Sequence, residues 1–162
     1  MGRVMKVTCE DITTEAHAEQ LRRLRNECAE WMTSNTSQIT PAQQAEFFRA
    51  RIATGQVEGF LMCANGLPVA YGVIVWDGEG RAWSSTGVKA SSRGQGLGRE
   101  VTVENARRAH ARGVPIWAEV RADNAAQQKI CRTAGYQQVD AITRDGVAID
   151  VMRCDELAGA YA

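Results

Sequence analysis

Residues 60–89 contain three strand-like segments separated by tight turns, and this run constrains the fold most strongly. FLMCA (60–64) is followed by Asn65-Gly66, a pair typical of two-residue β-hairpin turns. PVAYGVIVW (68–76) leads into a glycine-containing turn over 77–80, and RAWSSTGVK (81–89) follows it. The middle segment is apolar throughout, which indicates a central strand buried on both faces. The chain is therefore predicted to contain an antiparallel β-meander.

The segments around the meander alternate between helix and strand patterns. The first helix is predicted to bury one face, formed by Leu21, Leu24, Cys28 and Trp31 at 3-4-3 spacing. In chain order the other elements are a strand over 4–9, helices over 14–31 and 41–55, a helix over 98–112, a strand over 114–120, a helix over 124–135, and a hairpin with strands over 136–142 and 147–153. The order β-αα-βββ-α-β-α-ββ predicts an α/β fold in the broad sense (α+β), with one sheet that is partly antiparallel and partly parallel.

The length and the net charge of the chain limit the classes of protein to which it can belong. The 162 residues are the length of a single domain, predicted over 1–162, and 19 basic side chains balance 19 acidic ones. The absence of net charge argues against a dedicated nucleic-acid partner. No apolar run approaches the ~18 residues of a membrane span and no signal-peptide pattern begins the chain, so a cytoplasmic protein without a membrane partner is expected. Met1 and Met5 are alternative translation starts.

The five cysteines are dispersed and form no C-x-x-C pair. Neither a disulfide framework nor a metal site is therefore expected. They are predicted to be buried or half-buried free thiols in a reducing compartment. Their positions are Cys9, Cys28, Cys63, Cys131 and Cys154.

The loop SRGQGLGRE (92–100) joins the meander to a helix with a thin apolar face. Three glycines alternate between Arg93 and Arg99, so the backbone at the helix start is open to a ligand. The first N–H groups of a helix have no partner within it and form a natural anion site. The loop is therefore predicted to bind a phosphate or pyrophosphate. A plain strand-to-helix turn is the alternative interpretation.

Two common phosphate-binding motifs do not fit this loop. The P-loop pattern G-x-x-x-x-G-K-[ST] is absent. A dinucleotide-binding fold would place G-x-G-x-x-G early in a βαβ unit, whereas here an antiparallel meander precedes the glycines.

The loop does match a different pattern. Residues 93–98 fit the [RQ]-x-x-G-x-[GA] loop of the GNAT acyltransferase superfamily, and 119–139 resembles its second motif, with Asn124, a helix, and then Gly135-Tyr136. The two motifs cover about 88–139, and the element order resembles that fold over nearly the whole chain. The resemblance implies the GNAT fold with a splayed central sheet, and acetyl-CoA as co-substrate without a metal.

The resemblance also implies roles for individual residues. The glycine loop would hold the pyrophosphate, and the strand before it would offer backbone groups to the pantetheine arm. Asn124 would contact the cofactor or fix the splay, while a plain helix N-cap is an alternative compatible with either role. The implied cofactor-binding residues are Thr86, Gly87, Val88, Arg93, Gly94, Gln95, Gly96, Leu97, Gly98, Arg99 and Asn124.

Two residues are candidates for proton transfer. Glu119 lies in WAEVRADN (117–124), which resembles the W-x-E-V-R-x-x-N run of bacterial ribosomal-protein N-terminal acetyltransferases, where the glutamate is a general base. A solvent-facing or salt-bridged strand glutamate is the alternative. Cys131 stands where many members carry a tyrosine that protonates the leaving thiolate. It is interpreted as that acid, as a packing substitute, or as a sign of unassisted departure, with packing favoured.

The acceptor is the least constrained part of the reaction. Residues 24–48 faintly resemble acetyltransferases that act on nucleotide-linked amino sugars, which suggests a small-molecule amine. The polar run 34–38 and three tryptophans could contact a sugar, although a plain loop and core positions are the commoner roles for such residues. A protein amine as acceptor, or a coenzyme A-binding module with weak catalysis, are the alternatives. A homodimer, common on this fold, is a further hypothesis. The tryptophans are Trp31, Trp76 and Trp83.

Overall fold

The computed structural model describes residues 6–162. Both candidate start methionines, and the beginning of the first predicted strand, lie outside the described residues. The strands are β1 (Val7–Asp11), β2 (Val57–Ala64), β3 (Leu67–Trp76), β4 (Ala82–Val88), β5 (Ile116–Arg121), β6 (Gln137–Arg144) and β7 (Val147–Cys154). The helices are α1 (Glu15–Glu27), α2 (Pro41–Phe47), α3 (Leu97–Ala111) and α4 (Ala125–Ala134). Single turns at Ala29–Trp31 and Ala90–Ser92 are 3₁₀, and Phe48–Ile52 continues α2 as a π-helix.

The strands form one mixed sheet in the order β1-β2-β3-β4-β5-β7-β6. Every adjacent pair is antiparallel except β4 and β5, which are parallel. This confirms the predicted α/β fold, with the meander of β2, β3 and β4 at the centre. The Asn65-Gly66 turn is confirmed too, with positive φ at both residues, as a type I′ hairpin turn requires. β2 begins at Val57, earlier than predicted.

Helices cover both faces of the sheet. One core cluster joins α1 and the end of α2 to β2 and β3, and a second joins α3 and α4 to β5 and β7. Alternate residues of β5 point to opposite faces. Ala118 and Val120 face α3 and α4, so Trp117, Glu119 and Arg121 face the side of α1.

The prediction that Trp31 belongs to the buried face of the first helix is wrong. The α-helix ends at Glu27, and Cys28 leads into the 3₁₀ turn, which changes the direction in which the next side chains point. Trp31 is 39% exposed, with the Arg121 guanidinium 5.7 Å from its ring centroid. The 3-4-3 spacing continues past the point where the helical backbone stops.

No helix within residues 6–162 is both long enough and apolar enough to cross a membrane.

Candidate active site

The sheet opens between its two parallel strands. β4 and β5 pair only at Ala82↔Ile116, Trp83↔Trp117 and Ser84↔Ala118. β4 continues to Val88 and β5 to Arg121, so their facing edges beyond these pairs have no strand partner among the described residues. The predicted splay is therefore present, and it leaves backbone N–H and C=O groups free to bind a ligand.

A buried asparagine on α3 holds the point of divergence. Asn105 Nδ2 donates to Ser84 Oγ at 2.9 Å and to the Ser85 carbonyl at 3.3 Å. These are the last β4 residue paired with β5 and the first unpaired one. Asn105 and its neighbour Thr102 explain the thin apolar face of this helix, because both are polar and almost fully buried. The sequence contains one sign of this role: asparagine is unfavourable in the interior of a helix, and Asn105 lies within the predicted helix over 98–112.

A cavity of about 850 Å³ occupies the opening. Its walls come from the free parts of β4 and β5, the glycine loop, the start of α3, α4, and the segment 28–34 that follows α1. The cavity therefore reaches from the glycine loop to the side of the sheet that α1 covers. Its size is within the range of small-molecule and cofactor sites.

The glycine loop leaves the N-terminus of α3 uncapped. Side chains of Thr14, Thr40 and Asn124 cap the other three helices, whereas Gly96 precedes α3 with φ +83° and no side-chain cap. A left-handed residue suits glycine, and the missing cap leaves the first N–H groups of α3 available. This arrangement matches the predicted anion site.

Most of the predicted loop residues line the cavity. Arg93, Gly94, Gly96, Leu97, Gly98 and Arg99 do so. Gln95 does not: it borders a separate depression beside β1 and β2. Gln95 thus differs from the other predicted residues of the loop, a distinction that the motif alone does not make.

Three cations around the cavity have no carboxylate partner within residues 6–162. They are Arg93, Arg99 and Lys129. Lys129 lies on α4 and was not predicted from the sequence. Arg93 Nε donates to the Val88 carbonyl at 3.3 Å, and the Arg99 guanidinium lies 5.9 Å from the Tyr161 ring centroid. Unpaired cations at an uncapped helix N-terminus give this half of the cavity the charge that a phosphate ester requires.

The unpaired edge of β4 contains the three predicted pantetheine-binding residues, Thr86, Gly87 and Val88, and all three line the cavity. Gly87 also has a packing role. A Cβ on it would lie 2.4 Å from Cε1 of Tyr71, its partner on β3. Tyr71 is 1% exposed and burial raises its pKa. The glycine therefore makes room for a buried ring as well as leaving its backbone open.

Gly87→Ala is expected to lower the free energy of unfolding by about 1–3 kcal/mol, because an added methyl overpacks this contact. Chemical denaturation measures the change. Gly78→Ala is the control, since a Cβ there meets nothing within 4 Å, and it should change stability by less than about 0.5 kcal/mol. Adding Tyr71→Val should relieve part of the Gly87→Ala loss. Strictly additive effects would contradict the proposed steric cause.

Glu119 lies on β5 where the two strands have separated, and its side chain is 20% exposed. Its Oε2 is 2.8 Å from Arg144 Nη1, but the contact is an ion pair without hydrogen-bond geometry. Arg144 Nη1 instead donates to the Thr33 carbonyl at 2.8 Å. Glu119 and Thr33 both line the cavity. Glu119 thus faces the cavity and is also salt-bridged, while its role as a base stays a prediction.

Asn124 and Cys131 lie on the α4 side of the same cavity. Asn124 Oδ1 accepts the Gln127 N–H at 3.2 Å, which confirms the predicted N-cap. Gln127 Nε2 donates to Cys131 Sγ at 3.5 Å and to Thr102 Oγ1 at 3.1 Å. The Cys131 residue is fully buried, and this burial raises the pKa of its thiol to about 12. The thiol therefore keeps its proton at neutral pH.

The cysteines form neither a disulfide nor a metal site among the described residues. All five cysteines are free thiols, and Cys9 is exposed, contrary to the expectation of burial. No group of three or more His, Cys, Asp or Glu side chains between residues 6 and 162 could hold a metal ion.

Comparisons with known proteins agree with this geometry. The model of the Acetyltransferase (GNAT) family matches residues 18–136. The fold resembles an N-acetyltransferase from Staphylococcus aureus Mu50, with a TM-score of 0.80, 16% identity, and coverage of 94% of this chain and 99% of that one. No curated protein matches the chain significantly.

Two further solved structures have the same fold. The protein yncA from Salmonella typhimurium, solved with its cofactor acetyl-CoA, gives a TM-score of 0.77 at 15% identity and 99% coverage of both chains. The ribosomal-protein-alanine N-acetyltransferase from Brucella melitensis gives 0.76 at 20% identity, over 91% of this chain and 98% of that one. The family match covers most of the sequence, and the splayed strands, glycine loop and uncapped helix lie within it. This chain belongs to the acetyltransferase (GNAT) family.

Proposed function

We propose that this protein transfers an acetyl group from acetyl-CoA to a primary amine. The observation that carries the proposal is the continuous cavity between β4 and β5, which has an uncapped, cationic helix N-terminus at one end and Glu119 at the other. An anionic donor molecule would bind at the first end. An ammonium acceptor would meet the carboxylate at the second.

The residues around the cavity fit coenzyme A. The N–H groups at the start of α3, with Arg93 and Arg99, suit a pyrophosphate, and Lys129 adds a cation on α4. The edge from Thr86 to Val88 offers backbone groups to a pantetheine amide, and Asn124 faces it from the start of α4. We assign these residues, with Gly94, Gly96, Leu97 and Gly98, to cofactor binding. Gln95 does not line the cavity, so we propose that it would contribute only through its backbone within the loop.

Acetyl-CoA supplies a thioester, whose carbonyl carbon is open to attack by a neutral amine. The amine nitrogen forms a bond to that carbon, the C–S bond breaks, and the products are the N-acetyl amine and coenzyme A. An amine with a pKa near 10 is protonated at neutral pH and must lose a proton first, and an α-amine with a pKa near 8 is still mostly protonated and needs the same step. We propose that Glu119 takes this proton, directly or through a water. It is the one carboxylate among the described residues that line the cavity.

We propose that Cys131 packs and does not supply the proton to the leaving thiolate. Thiols have an ordinary pKa of about 8.5, so a donor with a pKa of about 12 would give up its proton uphill. Its Sγ also receives a hydrogen bond from Gln127 and is enclosed among core residues. The leaving thiolate would then take its proton from solvent.

Cys131→Ala is expected to change kcat by no more than about threefold, whereas loss of a true general acid costs about 100- to 10,000-fold. Steady-state kinetics measures the change. Cys154→Ala is the matched control, because that thiol is equally buried and does not line the cavity. A hundredfold loss confined to Cys131→Ala would establish the acid role instead.

For the acceptor we propose a small amine such as an amino sugar. Trp31 and Trp83 line the α1 side of the cavity and can stack on the apolar face of a sugar, and Ser34 lines the cavity as well. Trp76 does not line the cavity; its Nε1 donates to Glu58 at 3.3 Å. Gln38, in the same polar run, bonds back to α1, since its Nε2 donates to the Asn26 carbonyl at 3.1 Å.

A protein N-terminus is the alternative acceptor. It is favoured by the sequence run around Glu119, and by the fold shared with the Brucella melitensis enzyme named for ribosomal-protein alanine. Acetyl-CoA is incubated with the protein and either glucosamine or a peptide with a free N-terminal alanine. Thiol release and mass spectrometry then report transfer.

We expect thiol release that depends on glucosamine and yields N-acetylglucosamine. Transfer to the peptide alone would favour the protein acceptor. Calorimetric binding of acetyl-CoA without transfer to either amine would favour a coenzyme A-binding module. Absence of binding would contradict the proposal as a whole.

A further inference from the structure

Arg144 reaches the candidate base from two strands away. It is the last residue of β6, and β7 lies between β6 and β5 in the sheet. Its guanidinium nevertheless lies 2.8 Å from the Glu119 carboxylate of β5, so the side chain must cross β7. Neither the sequence motif nor the family match, which ends at residue 136, includes this arginine.

One nitrogen of Arg144 contacts both walls of the cavity on its α1 side. Nη1 donates to the Thr33 carbonyl at 2.8 Å and lies 2.8 Å from Glu119 Oε2. Thr33 and Glu119 line the cavity, whereas Arg144 does not. Arg144 can therefore act on an acceptor only through these two residues.

The segment after α1 has few other ties to the sheet. Residues 35–39 bond back to α1, for example through Asn26, which accepts the Ile39 N–H and donates to its carbonyl at 2.9 Å each. The sheet holds the beginning of the segment through Cys28, whose Sγ donates to the Val88 carbonyl at 3.5 Å, and through two arginines. Arg121 Nη1 donates to the Glu30 carbonyl at 2.9 Å, and Arg144 holds Thr33. Arg144 thus connects Thr33, on the α1 side of the cavity, to Glu119.

Glu119 depends on Arg144 for charge compensation. Its Oε2 is buried and accepts no hydrogen bond from residues 6–162, so the guanidinium is the partner that offsets its burial. Removal of one member of a partly buried ion pair leaves the other charge without its partner and free to reorient. A carboxylate that turns away from the cavity could no longer meet an amine.

We propose that Arg144 is a positioning residue that fixes Glu119 and the Thr33 wall at one geometry for the acceptor. This inference rests on the proposed role of Glu119 as the base. Arg144 does not touch the cofactor site at the glycine loop, so its effect is confined to the acceptor end. A planar guanidinium can serve two acceptors at fixed angles, which the single ammonium of lysine does less well.

The test compares Arg144→Gln, Arg144→Lys and Glu119→Gln in turnover of acetyl-CoA with glucosamine or the alanine peptide, whichever is acetylated. Arg144→Gln is expected to lower kcat/KM for the amine about 10- to 100-fold, the scale of a misplaced catalytic group. The acetyl-CoA dissociation constant should stay unchanged, and Arg144→Lys should recover part of the loss. In the Glu119→Gln background, Arg144→Gln should cost little more, because the group that it positions is gone.

Arg153→Gln is the matched control. That arginine lies on β7 with 38% of its side chain exposed, against 36% for Arg144, and it does not line the cavity. It should leave the kinetics unchanged. Additive losses from Arg144→Gln and Glu119→Gln, or weaker acetyl-CoA binding, would reduce Arg144 to a general structural role and overturn the inference. If Glu119→Gln itself keeps full turnover, the proposed base is wrong and the inference falls with it.

Hydrogen exchange gives a readout that needs no acceptor. Amides of residues 32–37 should exchange faster in Arg144→Gln than in the unchanged protein or in Arg153→Gln, because the Thr33 tie is lost. Unchanged exchange would overturn the inference, since the wall would then be held by other contacts. Faster exchange with normal kcat/KM would also overturn it, because the wall would then have no effect on the reaction.

Discussion

Glu119→Gln is expected to lower kcat by about 100- to 10,000-fold, the usual contribution of a general base, while the acetyl-CoA dissociation constant stays nearly unchanged. The amide keeps the size of the side chain but cannot accept a proton from an ammonium group. Glu119 is at the opposite end of the cavity from the cationic helix N-terminus. The substitution should therefore leave the affinity for acetyl-CoA unchanged. Steady-state kinetics and calorimetric titration measure the two quantities separately.

Glu58→Gln is the matched control. Glu58 is also a strand glutamate paired with an arginine, with Arg112 at 3.2 Å, and 25% of its side chain is exposed. It does not line the cavity, so its amide should retain full turnover. Equal losses in both variants would mean that a broken ion pair, and not a missing base, lowers the rate. Full activity of Glu119→Gln would identify Glu119 as a salt-bridged strand residue only.

Gly96→Glu is expected to weaken acetyl-CoA binding at least about 100-fold, equivalent to about 2.7 kcal/mol. The new carboxylate would stand at the N-terminus of α3, beside the N–H groups and Arg99 that suit a pyrophosphate. It would compete with the ligand for these donors and repel its charge. Isothermal titration calorimetry measures the affinity, and circular dichroism establishes that the variant is folded.

Gly113→Glu is the control for backbone strain. Gly113 follows the other end of α3 and has φ +77°, close to the +83° of Gly96. A side chain there meets nothing within 4 Å, so both variants carry a similar left-handed penalty of about 1–2 kcal/mol. Only Gly96→Glu should lose acetyl-CoA. If both variants bind normally, the glycine loop is a turn and not the pyrophosphate site.

The features that could be predicted are those that depend on residues close together in the sequence. The hairpin turn at Asn65-Gly66, the N-cap at Asn124 and the glycine loop each depend on neighbours a few positions apart. Local backbone preference therefore specifies them, and all three are present in the structure. Trp31 shows the limit of this reasoning, because apolar spacing does not reveal where a helix stops.

The features that could not be predicted depend on pairs distant in the chain. Asn105 meets Ser84, and Arg144 meets both Glu119 and Thr33, across 21 or more residues in each case. No local pattern marks such a pair, since sheet order and helix packing bring its members together. The roles of Gly87 against Tyr71 and of Lys129 at the cavity likewise emerge only from packing.

By itself the sequence determined the order of the elements, the open helix start at the glycine loop, and the presence of Glu119 on the strand that follows. Backbone propensity, turn chemistry and hydrophobic periodicity act over short stretches of chain, and this is why these features can be read there. Only the tertiary structure decided that β4 and β5 separate after Ser84 and Ala118, that Gln95 does not line the cavity, and that Arg144 pairs with Glu119. These outcomes depend on which distant side chains compete for the same space and the same hydrogen bonds, and that competition exists only in the packed molecule.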